Sequence, residues 1–91
     1  MSGYRYEFPI FEKEMEKDEF TILLGKKIRE IRTELGITQK ELAGRCFKDK
    51  QHIQLIESGK VTPNSYNLYL IAKSLNTDVN VLFSSIERLD K

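Results

Sequence analysis

Apolar residues recur at helical spacing from Phe20 onward. Phe20, Leu24, Ile28, Ile31 and Leu35 follow one another at intervals of four, four, three and four residues, which places them on one face of an amphipathic helix. The opposite, charged face carries Lys26, Lys27, Arg29, Glu30 and Arg32. The glycine that follows Leu35 can adopt the left-handed conformation that ends helices. The pattern therefore predicts a first helix over residues 20–35.

Four shorter helices are predicted downstream, each marked by a residue that can cap its N-terminus. Thr38 and Glu41 have the spacing of a capping box, so they predict a second helix that ends near Arg45 or Cys46. The other predicted N-caps are Asp49 for the third helix, Asn64 or Ser65 for the fourth and Asp78 for the fifth. The predicted inward-facing residues are Leu42, Ala43, Ile53, Ile56, Leu68, Leu70, Ile71, Ala72, Leu75, Val79, Leu82 and Phe83.

An acidic extension, residues 1–19, precedes this helical region. Its apolar residues Tyr4, Tyr6, Phe8 and Ile10 alternate with other residues, which predicts a strand. Pro9 lacks an N–H donor, so such a strand would lie at an edge. Residues 12–19 have the composition of a linker. Residues 1–20 have a net charge of −3, whereas residues 21–91 have a net charge of +4, a modest excess for a nucleic-acid-binding protein.

The second and third predicted helices form the most informative pair. Both are short and only about three residues separate them, so they must cross steeply. Ala43 supplies the small residue that a close crossing requires, and Ile53 supplies a branched apolar residue ten positions later. The third helix would then project from the domain with a polar outer face formed by Lys50, Gln51 and Gln54. A protruding polar helix of this length fits the major groove of DNA.

With these residues in place, the chain resembles the lambda-repressor-like, Cro/XRE-type helix-turn-helix family. The matching residues are Ile28 to Arg32, Leu35 to Ala43, Ile53, Ile56 to Lys60, Pro63, Leu68, Ile71-Ala72, Leu75 and Leu82-Phe83. The resemblance implies an all-α, five-helix domain over residues 20–91, with a recognition helix at about residues 49–57. It further implies sequence-specific binding of double-stranded DNA by a transcriptional regulator, with repression as the expected activity.

The resemblance also assigns roles to individual side chains. Lys50, Gln51 and Gln54 are expected to contact bases. The residues expected to contact the DNA backbone are Gln39, Lys40, Lys48, Lys60, Asn64 and Ser65. Independently of the resemblance, Glu57 at the end of the third helix is expected to form an internal ion pair with an arginine of the first helix, such as Arg29 or Arg32. Phe47 and Lys48 stand where the family usually has a glycine and an apolar residue, which leaves the register of the recognition helix open by one position.

Catalysis and metal binding find little support in the sequence. The chain has one histidine and one cysteine, and it contains no glycine-rich phosphate loop, nucleophile elbow or metal-ligand spacing. Cys46 is therefore interpreted as a packing residue and His52 as a residue that packs or contacts a phosphate, and no enzyme activity, metal or cofactor is predicted. A single cysteine is compatible with the reducing cytoplasm. No apolar run approaches the length of a membrane helix, so no membrane association is predicted.

Partners other than DNA remain open at this point. A symmetric dimer on a palindromic site is predicted, using some of the apolar residues Val79, Val81, Phe83, Ile86 and Leu89. The extension, residues 4–19, is expected to pack on the helices, to pair with a second copy or to bind another protein, and the remaining alternative is a disordered tail. The alternative functions are a protein-interaction module, such as the antitoxin of a toxin–antitoxin pair, and an adaptor that no longer binds DNA.

Overall fold

The predicted five helices are present. The computed structural model describes residues 16–46 and 48–88, and within these residues the chain forms five α-helices and no strand. The helices are α1 (Lys17–Glu34), α2 (Gln39–Arg45), α3 (Lys50–Glu57), α4 (Ser65–Ser74) and α5 (Val79–Arg88). The all-α fold class predicted from the sequence is confirmed. The predicted strand at residues 4–10, the residue Phe47 and the residue Leu89 lie outside the described residues.

Side-chain caps start the short helices at the predicted positions. Thr38 accepts the backbone N–H of Glu41 at 3.0 Å, and the Glu41 carboxylate accepts the backbone N–H of Thr38 at 2.7 Å, which completes the capping box. Asp49 and Asn64 each accept the backbone N–H three residues further on at 2.8 Å, and Asp78 does so at 3.2 Å. Each such cap contributes about 1 kcal/mol to helix stability. Asn64, rather than Ser65, is the cap of α4.

The start of α1 and the exposure of its last apolar residue differ from the prediction. The helix begins at Lys17, three residues before the apolar pattern starts, so the interpretation of residues 17–19 as linker is wrong. Asp18 and Glu19 lie in the first turn, where negative charge interacts favourably with the helix dipole. At the other end Leu35 is the C-cap and is 48% exposed, so it does not extend the buried face. Gly36 then ends the helix with a φ of 75°, as predicted.

A single core joins the five helices. The buried apolar residues are Leu24, Ile28, Leu42, Ala43, Cys46, Ile53, Ile56, Leu68, Ile71, Ala72, Leu75, Leu82 and Ile86. Helix α3 contacts both α1 and α2, so its position is fixed by two neighbours. The link between α2 and α3 comprises residues 46–49, one more than predicted, and the Lys48 backbone N–H donates to the Ala43 carbonyl at 2.8 Å.

Helix α5 packs against α1 and completes the core at that end. The Phe83 and Phe20 rings lie 6.0 Å apart between centroids in a tilted arrangement. Ile86 is only 8% exposed. Ile86 was one of the apolar residues from which a dimer contact was expected to draw, but it is not free to form that contact because its side chain is buried in its own domain. Val81 is 40% exposed and remains accessible.

Candidate nucleic-acid interface

The outer face of α3 presents the three side chains that were predicted to contact bases. Lys50, Gln51 and Gln54 are all exposed, and the geometry of an α-helix places them within an arc of about 100°. Ile53 and Ile56 are buried on the other side of the helix, at 0% and 1% exposure. The helix is therefore anchored along one side and exposes amide and ammonium groups along the other.

The residues expected to contact the DNA backbone lie on the elements around α3. Lys40, Lys60, Asn64 and Ser65 are exposed, whereas Gln39 and Lys48 are half-buried. The Asn64 side-chain oxygen caps α4, which leaves the amide N–H groups of that side chain as donors.

A buried ion pair ties the end of α3 to α1. Arg32 donates from Nε to Glu57 Oε2 at 2.6 Å and from Nη2 to Oε1 at 3.0 Å. Arg32 Nη1 also donates to the Ile37 carbonyl at 2.8 Å. Arg32, rather than Arg29, is thus the predicted partner of Glu57. The placement of Arg32 on the solvated face of α1 is wrong, because that residue is only 9% exposed.

Gln39 belongs to the same network. Its Nε2 donates to Glu57 Oε1 at 3.0 Å, which connects the start of α2 to the end of α3. A side-chain amide has two N–H groups, so the second one remains a donor for another acceptor. The predicted contact of Gln39 with a DNA phosphate stays a prediction.

A cleft of about 380 Å³ lies beside the outer face of α3. It is lined by Arg29, Gln39, Gln54, Leu55, Glu57, Ser58 and Lys60. Three of these residues, Gln39, Gln54 and Lys60, were predicted to contact DNA. Arg29 was not predicted as a site residue, because it was considered only as a partner for Glu57. Because Arg32 is the partner of Glu57, Arg29 has no role in that ion pair and becomes a candidate site residue.

Comparison with known proteins identifies the family of this fold. The family model described as Helix-turn-helix, of the Cro/C1 type, matches residues 28–82, which is more than half of the chain. The chain belongs to the Cro/C1-type helix-turn-helix family. It therefore has the helix-turn-helix DNA-binding fold of transcriptional regulators. Helices α2 and α3 form the helix-turn-helix pair.

Several members of the family are similar in sequence or structure. An uncharacterized transcriptional regulator in the ATPase CF(0) region of Rhodospirillum rubrum is 37% identical over 67 residues, which is 74% of this chain and 62% of that protein. The chain thus spans less than two thirds of that relative. An uncharacterized helix-turn-helix-type transcriptional regulator of Archaeoglobus fulgidus is 37% identical over 57 residues, covering 63% of this chain and 81% of that protein.

Among solved structures, the restriction-modification controller protein C.AhdI of Aeromonas hydrophila superposes with a TM-score of 0.69 at 26% identity. The alignment covers 70% of this chain and 97% of C.AhdI. The gene regulator ClgR of C. glutamicum has the same TM-score at 23% identity, with 81% of this chain and 92% of that one covered, and supports the fold alone.

Cys46 and His52, the cysteine and the histidine of the chain, are both shielded from solvent at least in part. Cys46 is fully buried, and its Sγ lies 3.3 Å from Ser74 Oγ. Burial raises the pKa of the Cys46 thiol, an effect that the Ser74 contact and the charge of Lys48 offset only in part. The thiol is therefore protonated at neutral pH. His52 is half-buried, and its Nε2 has no hydrogen-bond partner in the described part of the chain.

Within residues 16–46 and 48–88, no helix is both long enough and apolar enough to cross a membrane.

Proposed function

We propose that the protein binds double-stranded DNA sequence-specifically in the cytoplasm and acts as a transcriptional repressor, with α3 in the major groove. The outer face of α3 carries this proposal, because it exposes Lys50, Gln51 and Gln54 on a helix anchored from behind. The major groove accepts one α-helix, where glutamine side chains pair with the edge of adenine and lysine side chains with that of guanine. The similarity to proteins named as transcriptional regulators supports the same role.

Contacts with the DNA backbone would hold α3 in register. The proposed set surrounds the recognition helix and comprises Gln39, Lys40, Lys48, Lys60, Asn64 and Ser65. Such contacts contribute affinity and orientation but carry no sequence information directly. Loss of a base contact and loss of a backbone contact should therefore change DNA binding in different ways.

Alanine at Gln51 and alanine at Lys60 are expected to have different effects on DNA binding. Gln51→Ala should weaken the preferred site by about 1–3 kcal/mol and relax specificity at one base pair, because a base contact is lost. Lys60→Ala should lower the affinity for all DNA sequences alike, and it should reduce the slope of log affinity against log salt by about one. Binding of each variant to the selected site and to an unrelated duplex, over a series of salt concentrations, measures both effects. A uniform loss in both variants contradicts the assignment.

A dimer on a palindromic site is expected, because one domain contacts too few bases for useful specificity. The half-site centres should lie about 34 Å apart, so that both copies of α3 enter one side of the duplex. Val81 is the exposed apolar residue of α5, and Val81→Glu should shift the protein to a monomer in sedimentation experiments. Asn80→Glu adds the same charge at the neighbouring exposed position and should leave the dimer intact. A footprint of one half-site that persists at high protein concentration contradicts the dimer.

Genomic selection separates this function from that of an adaptor that no longer binds DNA. The protein is expected to retain a small set of genomic fragments that share one motif, whereas such an adaptor would retain none, even at low salt. Co-purification of a basic partner encoded nearby would instead favour the protein-interaction module, such as an antitoxin. A reporter gene behind the selected motif then tests the direction of regulation: expression should rise when the protein is removed, whereas a fall would identify an activator.

A further inference from the structure

Two arginines on α1, three residues apart, lie in different environments. Arg32 is buried and binds Glu57 with two of its nitrogens and the Ile37 carbonyl with the third. Arg29 is exposed and lines the cleft beside α3. Both carboxylate oxygens of Glu57 already accept hydrogen bonds, one from Arg32 and the other from Arg32 and Gln39. The internal network is therefore satisfied without Arg29.

The cleft brings donor groups together from separate parts of the fold. Arg29 comes from α1, Gln39 from the start of α2, Gln54 from α3 and Lys60 from the link between α3 and α4. The ion pairs found among the described residues are Lys27–Glu30 and Arg32–Glu57. Within that part of the chain, neither Arg29 nor Lys60 thus has a carboxylate within 4 Å.

The charges around the cleft favour an anion. Glu57 is the acidic residue of its lining, and its charge is matched by Arg32 directly behind it. The remaining charges of the lining are both positive, those of Arg29 and Lys60. An anion bound in the cleft would offset this positive charge and accept hydrogen bonds from these side chains. The Gln39 amide offers a further donor.

We propose that this cleft binds a phosphate of the DNA backbone, with Arg29 as a contact contributed from outside the helix-turn-helix pair. The inference rests on the proposed function and adds a residue to it. A backbone phosphate is favoured over a free anion because Gln54, which is proposed to contact bases, lines the same cleft. A phosphate held between Arg29 and Lys60 would fix the distance of Gln54 from the base edges.

The test compares Arg29→Gln with Lys17→Gln. Both variants remove one exposed positive charge from α1, and the two positions are about 18 Å apart along the helix. At 0.1 M salt this separation exceeds the screening length of about 10 Å, so Lys17→Gln should bind DNA nearly as the wild type does. Arg29→Gln should lower the affinity about eightfold at 0.1 M salt and reduce the slope of log affinity against log salt by about 0.9.

The loss should be the same on the selected site and on an unrelated 20-base-pair duplex, since phosphates carry no sequence information. Arg29→Lys should restore most of the salt slope because it restores the charge. Melting temperatures of all variants should match that of the wild type, which separates a lost contact from unfolding.

Distinct results would overturn the inference. Wild-type affinity and slope in Arg29→Gln would remove Arg29 from the interface while leaving the proposed function intact, and a loss confined to the selected site would make Arg29 a base contact. Inorganic phosphate, titrated while the Arg29 Nε–H resonance is followed by NMR, tests the other source of the anion. Saturation by phosphate with DNA affinity unaffected by Arg29→Gln would assign the cleft to a free anion. A wild-type protein that binds neither duplex would instead refute the proposed function itself.

Discussion

Replacement of Arg32 by alanine is expected to lower the free energy of unfolding by about 3–5 kcal/mol, because it leaves the Glu57 carboxylate buried without a cationic partner. The side chains of Arg32 and Glu57 are only 11% and 3% exposed, so solvent cannot take over the role of the missing guanidinium. The Ile37 carbonyl would lose a hydrogen bond as well. Chemical denaturation of the wild type and the variant measures the difference.

Arg29→Ala provides the matched control for this experiment. It removes the same side chain from the same helix one turn away, but at an exposed position. Its effect on stability should lie within about 0.5 kcal/mol of zero. The double variant Arg32→Met with Glu57→Leu should recover much of the lost stability, because both charges are removed together. Equal losses in the free energy of unfolding for Arg32→Ala and Arg29→Ala would show that the buried ion pair contributes no more to stability than an exposed arginine does.

Replacement of Gly25 by alanine is expected to destabilise the fold by about 1–3 kcal/mol through overpacking. Gly25 lies inside α1, where alanine normally favours a helix, yet the α3 backbone passes directly against it. An added Cβ would overlap the Ile56 carbonyl oxygen and lie 2.9 Å from the Glu57 carbonyl oxygen. Neither is the mobile end of a side chain, so α1 and α3 must move apart. That movement would also strain the Arg32–Glu57 pair.

Gly44→Ala is the natural comparison because this glycine also lies inside a helix. A Cβ at Gly44 would meet no atom within 4 Å, and the residue is exposed on α2. Helix propensity then dominates, and the substitution should stabilise the protein by about 0.5–1 kcal/mol. Thermal or chemical denaturation should thus give opposite signs for the two glycines. The same sign in both would contradict the close approach of α1 to α3.

The helix starts could be predicted from the sequence wherever a side chain forms the cap. Thr38, Asp49, Asn64 and Asp78 all cap through hydrogen bonds to residues three positions away, and such local contacts are visible in the order of residues alone. The start of α1 offered no such signal. Glu16 makes no side-chain cap, and residues 17–19 are all charged, so the apolar pattern gives no sign of a helix before Phe20.

Features that depend on distant residues were harder to predict. Arg32 is buried because it pairs with Glu57, which lies 25 positions later in the chain. The helical pattern of α1 alone contains no information about this contact and therefore placed Arg32 on the solvated face. The outer face of α3 followed directly from helical periodicity. The cleft did not, because it combines α1, α2, α3 and the link to α4, and the positions of these elements relative to one another are set by the core.

The Arg32–Glu57 pair limits how the helix-turn-helix pair could be transplanted. A segment of residues 38–58, grafted into another scaffold to transfer its DNA preference, would bring Glu57 along but leave behind the arginine that neutralises it. Gln39 alone would remain to bind the carboxylate. A successful graft would need an arginine in the host helix that lies against the end of α3, together with a residue as small as Gly25 about two turns before it. Protein engineers would therefore transfer three helices rather than two.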